Sequence, residues 1–181
     1  VGLAGCSLVG GALLVTFNNR GTQGDLVQLV RIHLPQLLAR AAEVAVSGYY
    51  NEKQYPASNV NDGRVSYTDN ALRWVSDTES PPAVELAWAK PQQIGAARIV
   101  TGQAGGKEGP TTPIANFVLQ YHDGTAYRDI EATKAEENQS ADWHVRFPTV
   151  TTDRLRLVVT RTPGNLARIW EFEVYGPMAG E

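Results

Sequence analysis

The chain has 181 residues, a formal net charge of −3, and 16 Lys and Arg that are dispersed rather than clustered. This balance gives no electrostatic footprint for a nucleic acid or an anionic membrane surface, and no apolar run is long enough to span a bilayer. Ten Pro and 17 Gly, without a long polar helical stretch, point to a loop-rich β protein with room for one sizeable core and a small appendage. The single Cys6 cannot close an internal disulfide and leaves the compartment open. Val1 is not an initiator Met, so the sequence is expected to be a processed or excised piece of a longer chain.

Residues 1–39 read as a separate N-terminal extension, hairpin-like in character. Leu3-Ala4-Gly5-Cys6 has the form of a bacterial lipobox, but only five residues precede Cys6 and the run after it is apolar where a lipoprotein tether is polar. A buried strand carrying a small apolar Cys is the better reading. Residues 7–17 predict a strand with a bulge or bend at Gly10-Gly11. Asn18-Asn19-Arg20-Gly21 and Gly24-Asp25 carry turn chemistry. Residues 26–34 predict a second strand, with a helix ended at Pro35 as the competing reading. Two strands alone are not stable, so the extension either packs on the following domain or is the tail of a preceding one.

Residues 40–181 carry the pattern of a sandwich. Short strands are expected at 44–47, 83–88, 94–101, 117–121, 127–130, 143–147, 154–160 and 169–175, with a hairpin turn at His122-Asp123-Gly124-Thr125. Near-regular spacing with turn signals between strands predicts an all-β sandwich. Trp74 and Trp88 sit inside apolar patterns and are expected in the core, while Trp170 suits core or rim.

Three stretches stand out by order and spacing. Tyr55-Pro56-Ala57-Ser58-Asn59-Val60-Asn61-Asp62-Gly63 is followed by Leu72-Arg73-Trp74-Val75-Ser76; Asn116-Phe117-Val118-Leu119-Gln120-Tyr121-His122-Asp123-Gly124 comes next; Ala167-Arg168-Ile169-Trp170-Glu171-Phe172-Glu173-Val174-Tyr175-Gly176 closes the chain. Over residues 40–176 they resemble the coagulation factor type C, or discoidin, domain of the galactose-binding-like superfamily, and most closely its family 32 carbohydrate-binding modules. The resemblance implies a discoidin-like β-sandwich or jelly roll that binds a ligand without turning it over. The residues agree with a non-catalytic reading. His33, His122 and His144 fall in no nucleophile motif, Cys6 lies in an apolar run, and Gly102-Gln103-Ala104-Gly105-Gly106 lacks the ending of a phosphate loop.

The loop over 59–70 is rich in hard oxygens, which calcium requires. The resemblance implies one structural calcium shared by Asp62 and Glu171, with carbonyls around Arg64, Ser66 and Asp69 completing the shell. The run Tyr67-Thr68-Asp69-Asn70-Ala71-Leu72-Arg73-Trp74 is longer than the family's usual Asn-x-x-Thr-Arg-Trp, and this departure bears on those carbonyls. The alternative is that Asp62 closes an Asx-turn and Glu171 forms a salt bridge.

Sugar-binding sites set an aromatic face against a pyranose and a few polar groups against its hydroxyls. The resemblance places them on loops at the cation end of the sandwich, here 49–55, 102–112, 131–143 and 161–168. The candidates are Tyr49, Tyr50, Asn51, Lys107, Glu108, Asn138, Trp143 and Asn165. Tyr49 and Tyr50 are adjacent, so on extended backbone they face opposite ways. Trp143 opens an alternating strand, which suits core packing and a stacking platform equally. Arg128, Arg154, Arg156 and Arg168 read as solvated strand positions, with Arg156 or Arg168 as entrants to the site. Polar loops favour a sugar over a membrane-inserting spike. The expected function is a carbohydrate-binding module of a larger secreted or cell-surface enzyme. The alternative is a docking module that packs against the parent's catalytic domain, which the apolar extension favours.

Overall fold

The computed structural model describes residues 2–9, 12–20, 25–33, 36–105 and 110–177, with side-chain surroundings from residue 36 onward. Two compact units emerge, one of the N-terminal residues through Gln36 together with Pro177, the other Leu37–Gly176. Among the described residues no helix is long and apolar enough to cross a membrane.

The N-terminal unit is an antiparallel meander of β1 (Gly2–Val9), β2 (Ala12–Arg20) and β3 (Asp25–His33). Three strands stand where two were expected. Val9 pairs with Ala12, so the chain reverses where a bulge within one strand was anticipated; Gly10 and Gly11 themselves lie outside the described residues. β3 pairs with β2 without a slip from Arg20↔Asp25 to Ala12↔His33, so this segment is a strand and the competing helix is overturned. Its β-branched residues suit a ladder better than a helix. Cys6 lies on β1 opposite Val15.

The second unit contains β4 (Glu43–Val46), β5 (Trp74–Val75), β6 (Ala83–Thr101), β7 (Asn116–His122), β8 (Tyr127–Asp129), β9 (Asp142–Arg161) and β10 (Arg168–Tyr175). Hydrogen bonding runs β5-β10-β6-β9-β7-β8, with β4 also on β6. The expected strand pairs 83–88 with 94–101 and 143–147 with 154–160 are each one continuous strand, β6 and β9. Both bend where their mutual register shifts, between Ala87 and Gln92 and between Ile94 and Ala96. Pro91 and Pro148 fall in those gaps, where no ladder donor is needed, so the prolines mark bends and not strand ends. The first half of β6 pairs with β4 and with the second half of β9, which continues to β7 and β8. The second half of β6 lies between β10 and the first half of β9. One ladder thus folds into two layers.

The core between the layers collects Val84, Leu86 and Trp88 of β6, Phe117 and Leu119 of β7, Leu155 and Leu157 of β9, and Ile169, Phe172 and Val174 of β10. Trp74 and Trp170 are fully buried. Three indole N–H groups donate to carbonyls: Trp74 to Gly48 (3.0 Å), Trp88 to Leu38 (3.0 Å) and Trp170 to Asp69 (3.0 Å). A bulge between Ile169 and Glu171 interrupts the alternation of β10, so Trp170 and Glu171 are both buried although they are neighbours. Leu157 has no exposed surface. Leu157→Ala is expected to lower the unfolding free energy by about 2–5 kcal/mol, seen as an earlier urea midpoint at unchanged slope.

Candidate functional site

The Tyr55–Gly63 motif builds one end of the sandwich by bracketing distant backbone. Asn59 Nδ2 donates to the carbonyls of Ala71 (3.1 Å) and Arg73 (3.1 Å). Asn61 Nδ2 donates to those of Ala39 (2.9 Å) and Ala42 (3.2 Å). Upstream, Tyr50 N–H donates to Val75 O (3.0 Å), and Tyr55 N–H returns to Asn51 O (2.8 Å) while Asn51 Oδ1 accepts from Gln54 N–H (3.2 Å). This turn brings the Tyr50 and Tyr55 rings to 6.4 Å between centroids. Tyr50 is 64% exposed, whereas Tyr49 packs against the core, so the adjacent tyrosines do face opposite ways.

Beside Tyr50 and Tyr55 opens a pocket of about 220 Å³, completed by Arg73, Val75, Gln103, Leu166 and Arg168. Arg73 is 6% exposed. Its guanidinium lies 5.5 Å from the Trp170 ring centre and 6.0 Å from that of Tyr55. Nη1 donates to Gly102 O (2.9 Å), while the buried Nε has no hydrogen-bond partner among the described residues. Burial pushes this guanidinium down to about 10; Arg168 repels it further and Tyr55 opposes the shift. Arg168 Nη1 donates to the carbonyls of Leu166 (3.0 Å) and Pro163 (3.3 Å), and burial lowers its pKa as well. Gly102 has φ +117°, and a Cβ there would stand 2.6 Å from Thr111 O, so only glycine fits beneath Arg73.

The expected cation residues lie around Glu171, which is 1% exposed. Both its oxygens accept from Gly63 N–H (3.1 and 3.0 Å). Burial pushes the carboxyl up to about 7; the Gly63 N–H opposes this, Asp62 and Glu173 add to it, and Arg40 opposes it. The Arg40 guanidinium stands over Gly63, 1.4 Å from where a Cβ would sit. Glu171 forms no ion pair among the described residues, while Asp62 Oδ1 accepts from Arg64 N–H (2.8 Å) in an Asx-turn. The Asp69 carboxylate caps a 3-10 turn through Ala71 N–H (2.8 Å), and its carbonyl holds Trp170. Ser66 O accepts from Asp69 N–H (3.3 Å), and Ser66 Oγ bonds Thr68 Oγ1 (3.2 Å). No group of three or more His, Cys, Asp or Glu converges among the described residues, so a cation here would draw on carbonyls as well as Asp62 and Glu171. That donor set is all hard oxygen around a buried carboxylate that makes no direct ion pair among the described residues, with the Arg40 guanidinium nearby; the oxygens fit calcium.

The remaining candidates disperse. Trp143 meets Phe117 edge-on at 4.9 Å and packs against the core. Asn138 Nδ2 spans the carbonyls of Ile114 (2.8 Å) and Ser140 (2.9 Å), tying its own loop. Asn51 closes the tyrosine turn. Asn165, at φ +55°, lines a separate groove of about 440 Å³ with Glu79, Pro81 and Arg161. Lys107 and Glu108 lie outside the described residues. Arg156 stacks 3.7 Å from the Tyr127 ring centre, on the face of β6 and β9. Tyr55, Arg73 and Gln103 are additions to the candidates; Tyr55 and Gln103 fall within the candidate loops 49–55 and 102–112, and Tyr55 and Arg73 within the motif stretches.

No family model and no curated protein matches the chain. Solved structures do. A Clostridium perfringens family 32 module, CpGH89CBM32-5 in complex with GalNAc-β-1,3-galactose, aligns at TM-score 0.63 and 17% identity over 78% of this chain and 100% of its own. The family 32 module of Streptococcus pneumoniae EndoD gives 0.64 and 18% over 78% and 100%. A pectin-binding module gives 0.56 and 23% over 81% and 95%. At these identities the likeness establishes the fold: an all-β, galactose-binding-like jelly-roll sandwich of the kind found in family 32 carbohydrate-binding modules.

The raised Glu171 carboxyl fixes the sign of a pH effect. Its folded pKa, about 7, lies above the ordinary 4.5, so the protonated form stabilises the fold and that contribution is lost as pH rises through this window. In chelator, the melting temperature of the wild type relative to Glu171→Gln is expected to fall between about pH 4.5 and pH 7. Added calcium is expected to raise the wild-type melting temperature near neutral pH and to leave Asp62→Ala little changed.

Proposed function

We propose that the Leu37–Gly176 unit is a non-catalytic carbohydrate-binding module whose sugar lies in the pocket walled by Tyr50 and Tyr55, and that a structural calcium is held by Asp62, Glu171 and carbonyls of the 64–69 segment. The observation that carries this reading is Tyr50. It is the most exposed large apolar side chain among the described residues, at 64%, and stands at the mouth of a polar pocket. Leaving such a ring in water forgoes about 1.5–3 kcal/mol of burial, which a pyranose face would recover. Arg73, Arg168 and Gln103 supply donors of the kind that read sugar hydroxyls. Calcium, when bound, supplies positive charge that neutralises Glu171 and orders the loop.

The structural neighbours support the reading, since modules of this fold are known in complex with GalNAc-β-1,3-galactose or with galactose, and others are chitosan-binding or pectin-binding. The module would keep a larger secreted or cell-surface enzyme close to its polysaccharide, raising the local substrate concentration without new catalytic contacts. A docking role against a parent catalytic domain is the second reading, and the apolar sequence of the β1–β3 sheet favours it.

A glycan-array screen of the folded chain, with and without calcium, tests the proposal. Binding to a defined sugar class is expected. Tyr50→Ala is expected to weaken it about tenfold, equivalent to about 1.4 kcal/mol, with little change in melting temperature. Silence across the array from folded protein would transfer the weight to docking.

A further inference from the structure

The pocket beside Tyr50 holds two guanidiniums and, among its described residues, no acid. Elsewhere this fold treats a half-buried arginine differently. Arg98 Nε and Nη2 donate to the two oxygens of Asp142 at 2.7 and 2.8 Å, and its Nη1 reaches Glu173 at 3.2 Å. Arg73 is more deeply buried than Arg98 and receives one backbone carbonyl. Its Nε has no partner among the described residues. Among the described residues, Arg168 is likewise held by backbone carbonyls and by no acid. Carbonyls and flanking rings fix where the two guanidiniums sit, no described residue neutralises either charge, and the two repel each other. A desolvated cation without a counter-charge is costly, and the cost is relieved when an anion enters the same low-dielectric space. Charge-assisted hydrogen bonds from guanidinium to carboxylate or sulfate oxygens are about twice as strong as neutral ones.

We propose that the pocket selects an anionic saccharide, a sugar bearing a carboxylate or a sulfate ester, with the anionic oxygens set between Arg73 and Arg168 and the ring facing Tyr50 and Tyr55. The inference rests on the carbohydrate-binding reading of this pocket and narrows its ligand class. Gln103 at the rim supplies an amide for a neighbouring hydroxyl. A neutral hexose would fill the aromatic wall but leave both cations as they are.

Matched pairs that differ in charge while keeping the same sugar rings test this by calorimetry on the full chain: galacturonate oligomers against their methyl esters, sialyllactose against its methyl ester, and a sulfated galactan oligosaccharide against its desulfated form. At least one charged member is expected to bind about tenfold or more tighter than its neutral twin, with an affinity that falls as salt rises. Which pair shows the effect separates carboxylate from sulfate. Arg168→Gln, at a half-exposed position, is expected to erase most of the preference while the protein keeps its melting temperature. Arg73→Gln is expected to do the same wherever it folds. Equal binding of charged and neutral twins in every pair, or a preference unchanged in Arg168→Gln, overturns the inference and leaves the sugar reading standing. Absence of binding to any member of the panel and to any glycan of the array overturns both.

Discussion

Two ionisable side chains of opposite sign, Arg73 and Glu171, are taken out of water at one end of the sandwich, and the loops there are arranged around that desolvation. Burying a charge costs several kcal/mol unless the site supplies partners. Here the partners are mostly backbone: Gly102 O for Arg73, and Gly63 N–H for Glu171. Each demands a glycine with positive φ, at +117° and +73°, because each backbone must come close to a side chain or strand that leaves no room for a Cβ. Trp170 stands beside both, adjacent to Glu171 in sequence and stacked on Arg73. The bulge in β10 is what allows Trp170 and Glu171 to turn inward together.

The longest ladder of the Leu37–Gly176 unit joins the bent strands β6 and β9 and runs through both layers. They hold the pocket indirectly. Thr101 Oγ1 and Gly102 N–H, at the end of β6, both donate to Arg168 O, at 2.7 and 2.9 Å, so the start of β10 is pinned to the strand that carries the Arg73 acceptor. Ser76 Oγ accepts from Ala167 N–H at 3.0 Å, and Asn59 holds the Arg73 carbonyl from the other side. Three chain segments far apart in sequence are thereby fixed to within a hydrogen bond of one another. A loop site on such a frame loses little entropy when a ligand enters.

Much of this was legible in the chain, and the reasons for the remainder are physical. Alternation identified the strands, since a half-buried ladder imposes a period of two. It misjudged their ends at Pro91 and Pro148, because a missing donor is harmless where pairing already lapses at a bend. Adjacent Tyr49 and Tyr50 gave one exposed ring from geometry alone. Arg73 is different: its acceptor, Gly102, lies 29 residues on, and its flanking rings, Tyr55 and Trp170, come from opposite ends of the domain. Nothing local marks it as the floor of a pocket. Asn138 and Trp143 carry the local signs of ligand contact, a polar loop and a strand-opening aromatic, but the amide serves its own loop and the indole packs on Phe117.

The size of the pocket bears on how such a site works. At about 220 Å³ it is smaller than the roughly 300–1,000 Å³ that encloses a drug-sized ligand. It has room for one sugar residue, not for an oligosaccharide along its length. A single open residue-sized site cannot reach high affinity through area, because the loss of translational freedom offsets most of the contact energy. Selectivity must then come from the few strong terms available, which are the two guanidiniums and one aromatic wall. Retention on a polymer must come from repetition, since each dissociation leaves the next identical residue within reach. On the proposed reading, a shallow pocket with two guanidiniums and one aromatic wall would hold a chain of repeating units loosely while leaving it free to move.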